Sequence, residues 1–270
     1  MNTCIETNAS LAGCEDLFST VDYMIADFKS PCPEKTSEIL GADIDVTRVG
    51  GIIKRIGFFD VITESGPVSG KTVIIAVGVK HRTLGIAGEE NYFGKGISFC
   101  AVCDGPFYKG KTAAIVGGGN SAVQEALYLS DICEKVHLIH RRDSFRAEKS
   151  LVESAKRKDN LIIHTDSVIS EFKGENQIKG LTILNKRTSE VTDITCDVLF
   201  EAIGRIPENN IFSDLIELDD NGYVIAKEDC STSCPGIFVA GDCRQKNIRQ
   251  LTTAVADGST AALAAVDFLN

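Results

Sequence analysis

At 270 residues, with 43% apolar and 24% charged side chains, the chain has the size and composition of one large or two ordinary globular domains and is neither fibrous nor disordered. A formal charge of −10 disfavours nucleic acid as the main partner, because affinity for a polyanion rests on Lys and Arg neutralising phosphates. The opening MNTCIETNASLAGCED lacks a basic and then apolar leader, and no run of eighteen apolar residues occurs, so the expectation is a cytoplasmic chain without a membrane span. In that compartment its ten cysteines read as reduced thiols, and any disulfide as transient and catalytic.

Residues 1–48 carry Cys4, Cys14, Cys32, a SPCPEK turn and weak helical periodicity from Val21 to Phe28, and they yield no firm element. From Asp43 the texture changes. IDVTRV, FFDVIT and KTVIIAVG read as short strands between polar or Gly-rich turns, a small sheet followed by a buried strand. Residues 112–142 read strand, glycine turn, helix, strand. Ala113 to Val116 form an apolar run, the glycines follow, Ala122, Ala126, Leu129 and Cys133 recur at helical spacing, and VHLIH returns as a strand. This βαβ unit implies a parallel sheet with a right-handed crossover. Further strands are predicted at LIIHT, GLTILN, DVLFEAIG and GIFVAGD, with a closing helix over TAVADGSTAALAAVDFL, so the fold class is α/β.

Four segments carry chemistry. Gly117-Gly118-Gly119-Asn120-Ser121-Ala122 fits G-x-G-x-x-A between a strand and a helix. Gly117 permits the tight turn, Gly119 lets backbone approach a pyrophosphate, Ala122 allows close helix packing, and the helix N-terminus faces the negative charge. His140-Arg141-Arg142-Asp143-Ser144-Phe145-Arg146 ends the second strand, where an NAD site carries an acidic residue for the ribose. Guanidinium groups there favour a 2′-phosphate, which makes Arg141, Arg142 and Arg146 candidates for selecting NADP, against the alternative of a solvated basic helix start. Cys100 and Cys103 stand at C-x-x-C spacing beside Asp104, a possible proton carrier; a redox pair, half a zinc site completed by Cys230, Cys234 and Cys243, or incidental buried thiols all remain open. Gly236 to Cys243 form an apolar strand ending in Gly241-Asp242, able to present a carboxylate to a ligand. His81, His137 and His164 have no partner at ligand spacing, and no metal site is argued.

Taken together, in order from about residue 43 to the C-terminus, these segments resemble low-molecular-weight, bacterial-type thioredoxin reductase. The resemblance implies a two-domain FAD/NAD(P)-binding disulfide oxidoreductase fold with a Rossmann-like nucleotide domain. Residues 1–89 and 210–270 would form a discontinuous, partial FAD-binding domain, and 90–209 the NADPH-binding domain carrying the redox centre. By the same resemblance Cys103 lies against the flavin, Cys100 attacks the partner disulfide and Asp104 handles protons. NADPH is held by Gly117, Gly119, Asn120, Ser121, Ala122, His140, Arg141, Arg142 and Arg146. Gly241 and Asp242 resemble the second flavin motif, and Arg249, Gln250, Leu251 and Ala254 belong to the segment beside the isoalloxazine.

The implied function is NADPH-dependent reduction of thioredoxin or a similar small dithiol protein, through FAD and Cys100/Cys103, by a homodimer. The alternatives are a non-catalytic remnant that binds NADPH, or a flavin disulfide reductase serving another dithiol carrier. Two departures stand out. Val77 replaces the family's threonine in Ile75-Ala76-Val77-Gly78, and residues 1–42, with only Gly13 and Gly41 as glycines, cannot supply the G-x-G-x-x-G turn that grips the ADP half of FAD. The expectation is a flavin domain incomplete at its N-terminus, binding FAD weakly through its flavin-side contacts.

Overall fold

The structure, a computed structural model, describes residues 49–63 and 66–270. The reading of residues 1–48, the absent glycine turn included, lies outside the described residues. Two compact units result. One takes the described residues up to Lys80 and again from Ile206, and the other runs from His81 to Arg205.

In the first unit, β1 (Val49–Lys54), β2 (Phe59–Thr63) and β3 (Gly66–Gly70) form an antiparallel sheet in that order. Then β4 (Val73–Ile75) leads to the short crossing strand β5 (Lys80–His81). The second unit opens with β6 (Ile97–Ser98) and the one-turn helix α1 (Ala101–Asp104). β7 (Thr112–Gly117), α2 (Asn120–Ile132) and β8 (Lys135–Ile139) follow as the βαβ unit expected from the glycine pattern. Cys133, predicted on the helix, instead caps its end, its N–H bonding the Leu129 carbonyl at 2.8 Å. After α3 (Lys149–Lys156) and β9 (Leu161–His164) come β10 (Ser167–Lys173), β11 (Gly180–Asn185) and β12 (Val191–Thr195), an antiparallel sheet, and then β13 (Val198–Ala202). β14 (Arg205–Ile206) returns the chain to the first unit, which ends with β15 (Ile237–Val239) and α4 (Leu251–Leu269).

The central sheet of the second unit has the order β6-β13-β7-β8-β9, and its pairs are parallel. Both faces are covered, which is why these strands read as continuous apolar runs rather than alternating ones. Ala113 and Ile115 pack with Val123, Ala126 and Leu129 of α2, whereas Ala114 and Val116 turn to the other face, toward Ile169, Leu181 and Ile183 of the β10–β12 sheet. The same period of two divides the parallel pair β4 and β15 of the first unit. Val73, Ile75, Ile237 and Val239 enter one core; Ile74, Phe238 and Ala240 face Ala261 and Ala265 of α4.

One buried group breaks the apolar pattern of β13. Glu201 is 3% exposed and faces Glu89, whose two side-chain oxygens accept the N–H groups of Leu84, Gly85 and Ile86 at 2.8, 2.7 and 3.2 Å. Burial first, and then the Glu89 carboxyl, push Glu201 up to about 9. Folding therefore takes up a proton at neutral pH. The stability this group contributes is complete below its unperturbed value of 4.5 and is lost progressively as pH rises toward 9. Glu201→Gln, a permanent donor of similar shape, is expected to flatten that slope and to raise Tm at pH 8 by about 4 °C. Thermal unfolding from pH 5 to 9 checks this; a variant tracking the native curve throughout would contradict it.

Candidate functional site

The glycine turn closes β7 against α2 by contacts that exclude side chains at two of its three glycines. A Cβ on Gly117 would stand 2.5 Å from the Ala202 carbonyl and 2.6 Å from the Ala122 Cβ, so strand and helix meet backbone to methyl. A Cβ on Gly118 would fall 2.0 Å from the His140 ring. That ring is buried, stacked on Phe145 at 4.7 Å, and bonded through Nε2 to the Ser144 carbonyl at 2.9 Å. Gly119 differs from both. It is the N-cap of α2 and a Cβ there would meet nothing within 4 Å. No side chain caps this helix end, and with the space beside Gly119 clear the turn fits a pyrophosphate.

The arginine loop is tied to this turn, since the Arg146 N–H donates to the Gly118 carbonyl at 2.8 Å. The Asp166 N–H holds the Arg142 carbonyl at 3.0 Å, and the side chains of Arg141, Arg142 and Arg146 are exposed. Asn120 and Glu148 bond each other, Glu148 N–H to Asn120 Oδ1 at 2.8 Å and Asn120 Nδ2 to Glu148 Oε1 at 3.2 Å, which clamps the start of α2 to the start of α3. Ser121 is exposed on that first turn, and Ala122 is fully buried beneath it.

Cys100 and Cys103 are joined as a disulfide, their Cα atoms 5.3 Å apart, so here they are not half of a metal cluster. Cys100 is the N-cap of α1, and the Cys103 N–H points at its Sγ, 3.2 Å away. Asp104 is held by a residue absent from the sequence reading. The buried Ser98 hydroxyl donates to Asp104 Oδ2 at 2.7 Å while accepting the Cys100 N–H at 3.2 Å. One serine thus links the backbone of the first cysteine to the carboxylate after the second. Val102 and Phe107 flank the pair at 59% and 77% exposure, an apolar rim that nothing within the described residues covers.

In the other unit, β15 ends at Val239, and two residues on Gly241, whose φ of +78° requires glycine, opens a 3₁₀ turn that carries the buried Asp242. Arg249 folds back to that turn, donating through Nε to the Asp242 carbonyl at 3.1 Å and stacking its guanidinium over Tyr223 at 4.0 Å. Gln250 caps α4 in a reciprocal box with Thr253; Leu251 is exposed and Ala254 buried on its first turn. A buried carboxylate at the carboxyl end of a parallel strand, beside a guanidinium and a helix start, fits the hydroxyl-rich and ring portions of a flavin.

The family model described as pyridine nucleotide-disulphide oxidoreductase matches residues 46–258. A thioredoxin reductase of Mycoplasma genitalium is 45% identical over 197 residues, which are 73% of this chain and 62% of that protein. One of Treponema pallidum is 36% identical over 237 residues, 88% of this chain and 77% of that protein. Among solved structures, the thioredoxin reductase of Streptococcus pyogenes superimposes with a TM-score of 0.79 at 39% identity, covering 88% of this chain and 80% of that one. The enzyme from Giardia duodenalis gives 0.77 at 33% identity, covering 87% and 78%.

Proposed function

This chain belongs to the pyridine nucleotide-disulphide oxidoreductase family, and from that premise we propose that it reduces the disulfide of thioredoxin, or of a similar small dithiol protein, at the expense of NADPH. The observation that carries this reading is the Cys100–Cys103 disulfide, braced by Ser98 and Asp104 on the unit that also bears the uncapped glycine turn. When bound, NADPH and FAD supply two electrons by hydride transfer from nicotinamide to flavin.

The chain's own residues do the rest. Gly117, Gly119, Asn120, Ser121 and Ala122 form the pyrophosphate turn, and Arg141, Arg142 and Arg146 bind the 2′-phosphate; His140 supports Gly118 from below. Gly241, Asp242, Arg249, Gln250, Leu251 and Ala254 hold the flavin. Two electrons and two protons open Cys100–Cys103 to a dithiol. The Cys100 thiolate, stabilised by the Cys103 N–H, attacks one sulfur of the partner disulfide and expels the other as a thiolate that takes up a proton. Cys103 then attacks Cys100, which re-forms the internal disulfide and releases the partner's second thiol. Asp104, oriented by the Ser98 hydroxyl, carries the proton that leaves or joins the cysteine pair.

Val102 and Phe107 give an apolar rim for the partner's surface. Val255 and Leu263 leave exposed apolar side chains on α4 that suit a homodimer. A cytoplasmic setting would keep the buried thiols Cys133, Cys196, Cys230, Cys234 and Cys243 reduced.

NADPH oxidation at saturating FAD, with and without oxidised thioredoxin, tests the reading. Consumption that depends on thioredoxin is expected. Activity only with another dithiol carrier would move the partner, and none with any protein disulfide would favour a nucleotide-binding role. Gly118→Val is expected to weaken NADPH at least about tenfold, because the His140 ring is held by Phe145 and Ser144 and cannot move aside cheaply. Calorimetric titration checks this; unchanged affinity would separate the turn from nucleotide binding.

A further inference from the structure

Asp257 lies on α4, 9% exposed, where an amphipathic helix would be expected to carry a small or apolar side chain. Its Oδ2 gathers three groups from the loop after β15. The Gly241 N–H donates to it at 3.1 Å and the Lys246 ammonium at 2.8 Å. Arg244 Nε lies 3.4 Å away as an ion pair without hydrogen-bond alignment. Lys246 and Arg244 are themselves largely buried. Arg244 also donates to the Lys227 carbonyl at 2.8 Å, and Arg249 donates to the Arg244 carbonyl at 3.3 Å, so the network runs on to the segment that opens α4.

Packing does not require this arrangement. Besides Asp257, the buried residues of α4 are Ala254, Gly258, Ala261, Ala262 and Ala265, of which Ala261 and Ala265 pack against Phe238 and Ala240, and a buried ion cluster adds little net stability over an apolar replacement. What the carboxylate does fix is geometry. It sets the left-handed Gly241, and with it Asp242, at one distance from the helix that begins at Leu251.

We infer that Asp257, with Lys246 and Arg244, is a positioning residue for flavin: it locks the Gly241-Asp242 turn against the Arg249–Ala254 segment so that both meet one ligand. This rests on the flavin reading of those two segments. Asp257 is not itself a flavin ligand. It acts through Gly241 and the two cations, and neither cation pairs with another acid among the described ion pairs.

The test uses the full chain with FAD and FMN as probes, followed by quenching of flavin fluorescence and by visible circular dichroism of the bound ring. Asp257→Ala is expected to weaken both flavins at least about tenfold and to change the visible dichroism, as loss of a charged partner to a buried amide predicts. Asp257→Asn keeps an oxygen for Gly241 and is expected to lose only about threefold. NADPH affinity, which belongs to residues of the other unit, should stay within about twofold in both variants, as a general loss of structure would not allow. If Asp257→Ala loses its far-ultraviolet helix signal, the threefold effect and altered dichroism of Asp257→Asn carry the test. Flavin affinity and dichroism equal to the unmutated chain in the folded variants would overturn the inference while leaving the flavin site standing. Failure of the unmutated chain to bind either flavin would instead overturn the site itself, and the inference with it.

Discussion

Cys100→Ser is expected to reduce disulfide turnover by at least about a thousandfold while leaving the fold and NADPH affinity unchanged. A lone thiol at Cys103 can neither accept two electrons as an internal disulfide nor resolve a mixed one, so no pathway remains for a second turnover. Cys103→Ser should be equally inactive by a different route. Its surviving Cys100 keeps the attacking position at the N-cap of α1 but loses the resolving thiol, so it should accumulate a covalent adduct with the partner. Intact-mass measurement after mixing with oxidised partner separates the two variants. An adduct on Cys103 in Cys100→Ser, and none on Cys100 in Cys103→Ser, would reverse the assigned roles.

The second large effect concerns nucleotide choice. Arg141→Ala combined with Arg142→Ala is expected to weaken NADPH by roughly a hundredfold and NADH hardly at all, because each charge-assisted bond to a phosphate contributes about 1.5–3 kcal/mol. Both side chains are exposed, so the lower end of that range applies and the loss should shrink as salt is added. Titrations of both nucleotides at two ionic strengths decide it. Equal affinity of the unmutated protein for NADPH and NADH would remove the basis for assigning these arginines.

Much of this was readable along the chain because its signals are local. The run Ala113 to Val116, three glycines and the helical spacing of Ala122, Ala126 and Leu129 lie within about twenty residues, and the βαβ unit formed where they fall. The C-x-x-C pair needed only its own spacing to suggest a disulfide, and the structure contains it. What stayed hidden depends on residues far apart in sequence. Nothing local pairs Glu89 with Glu201, Gly241 with Asp257, or Gly118 with the ring of His140. His137 and His164 looked isolated, yet their rings stack and their nitrogens stand 2.9 Å apart across the β8–β9 pair; burial pushes both down, His137 to about 4. Ser98 could have been suspected from its place just ahead of Cys100, but a serine at the end of a two-residue strand has many uses, and only the bond to Asp104 singles one out.

Arrival of electrons from NADPH at one cysteine pair can be measured without choosing a partner. The chain is incubated anaerobically with FAD and a small excess of NADPH, the new thiols are alkylated, and the labelled peptides are identified by mass spectrometry. Two new labels are expected, on Cys100 and Cys103, that do not appear without NADPH or without FAD. A disulfide that stays closed under NADPH with FAD bound, or NADPH-dependent labels on other cysteines in its place, would contradict that expectation.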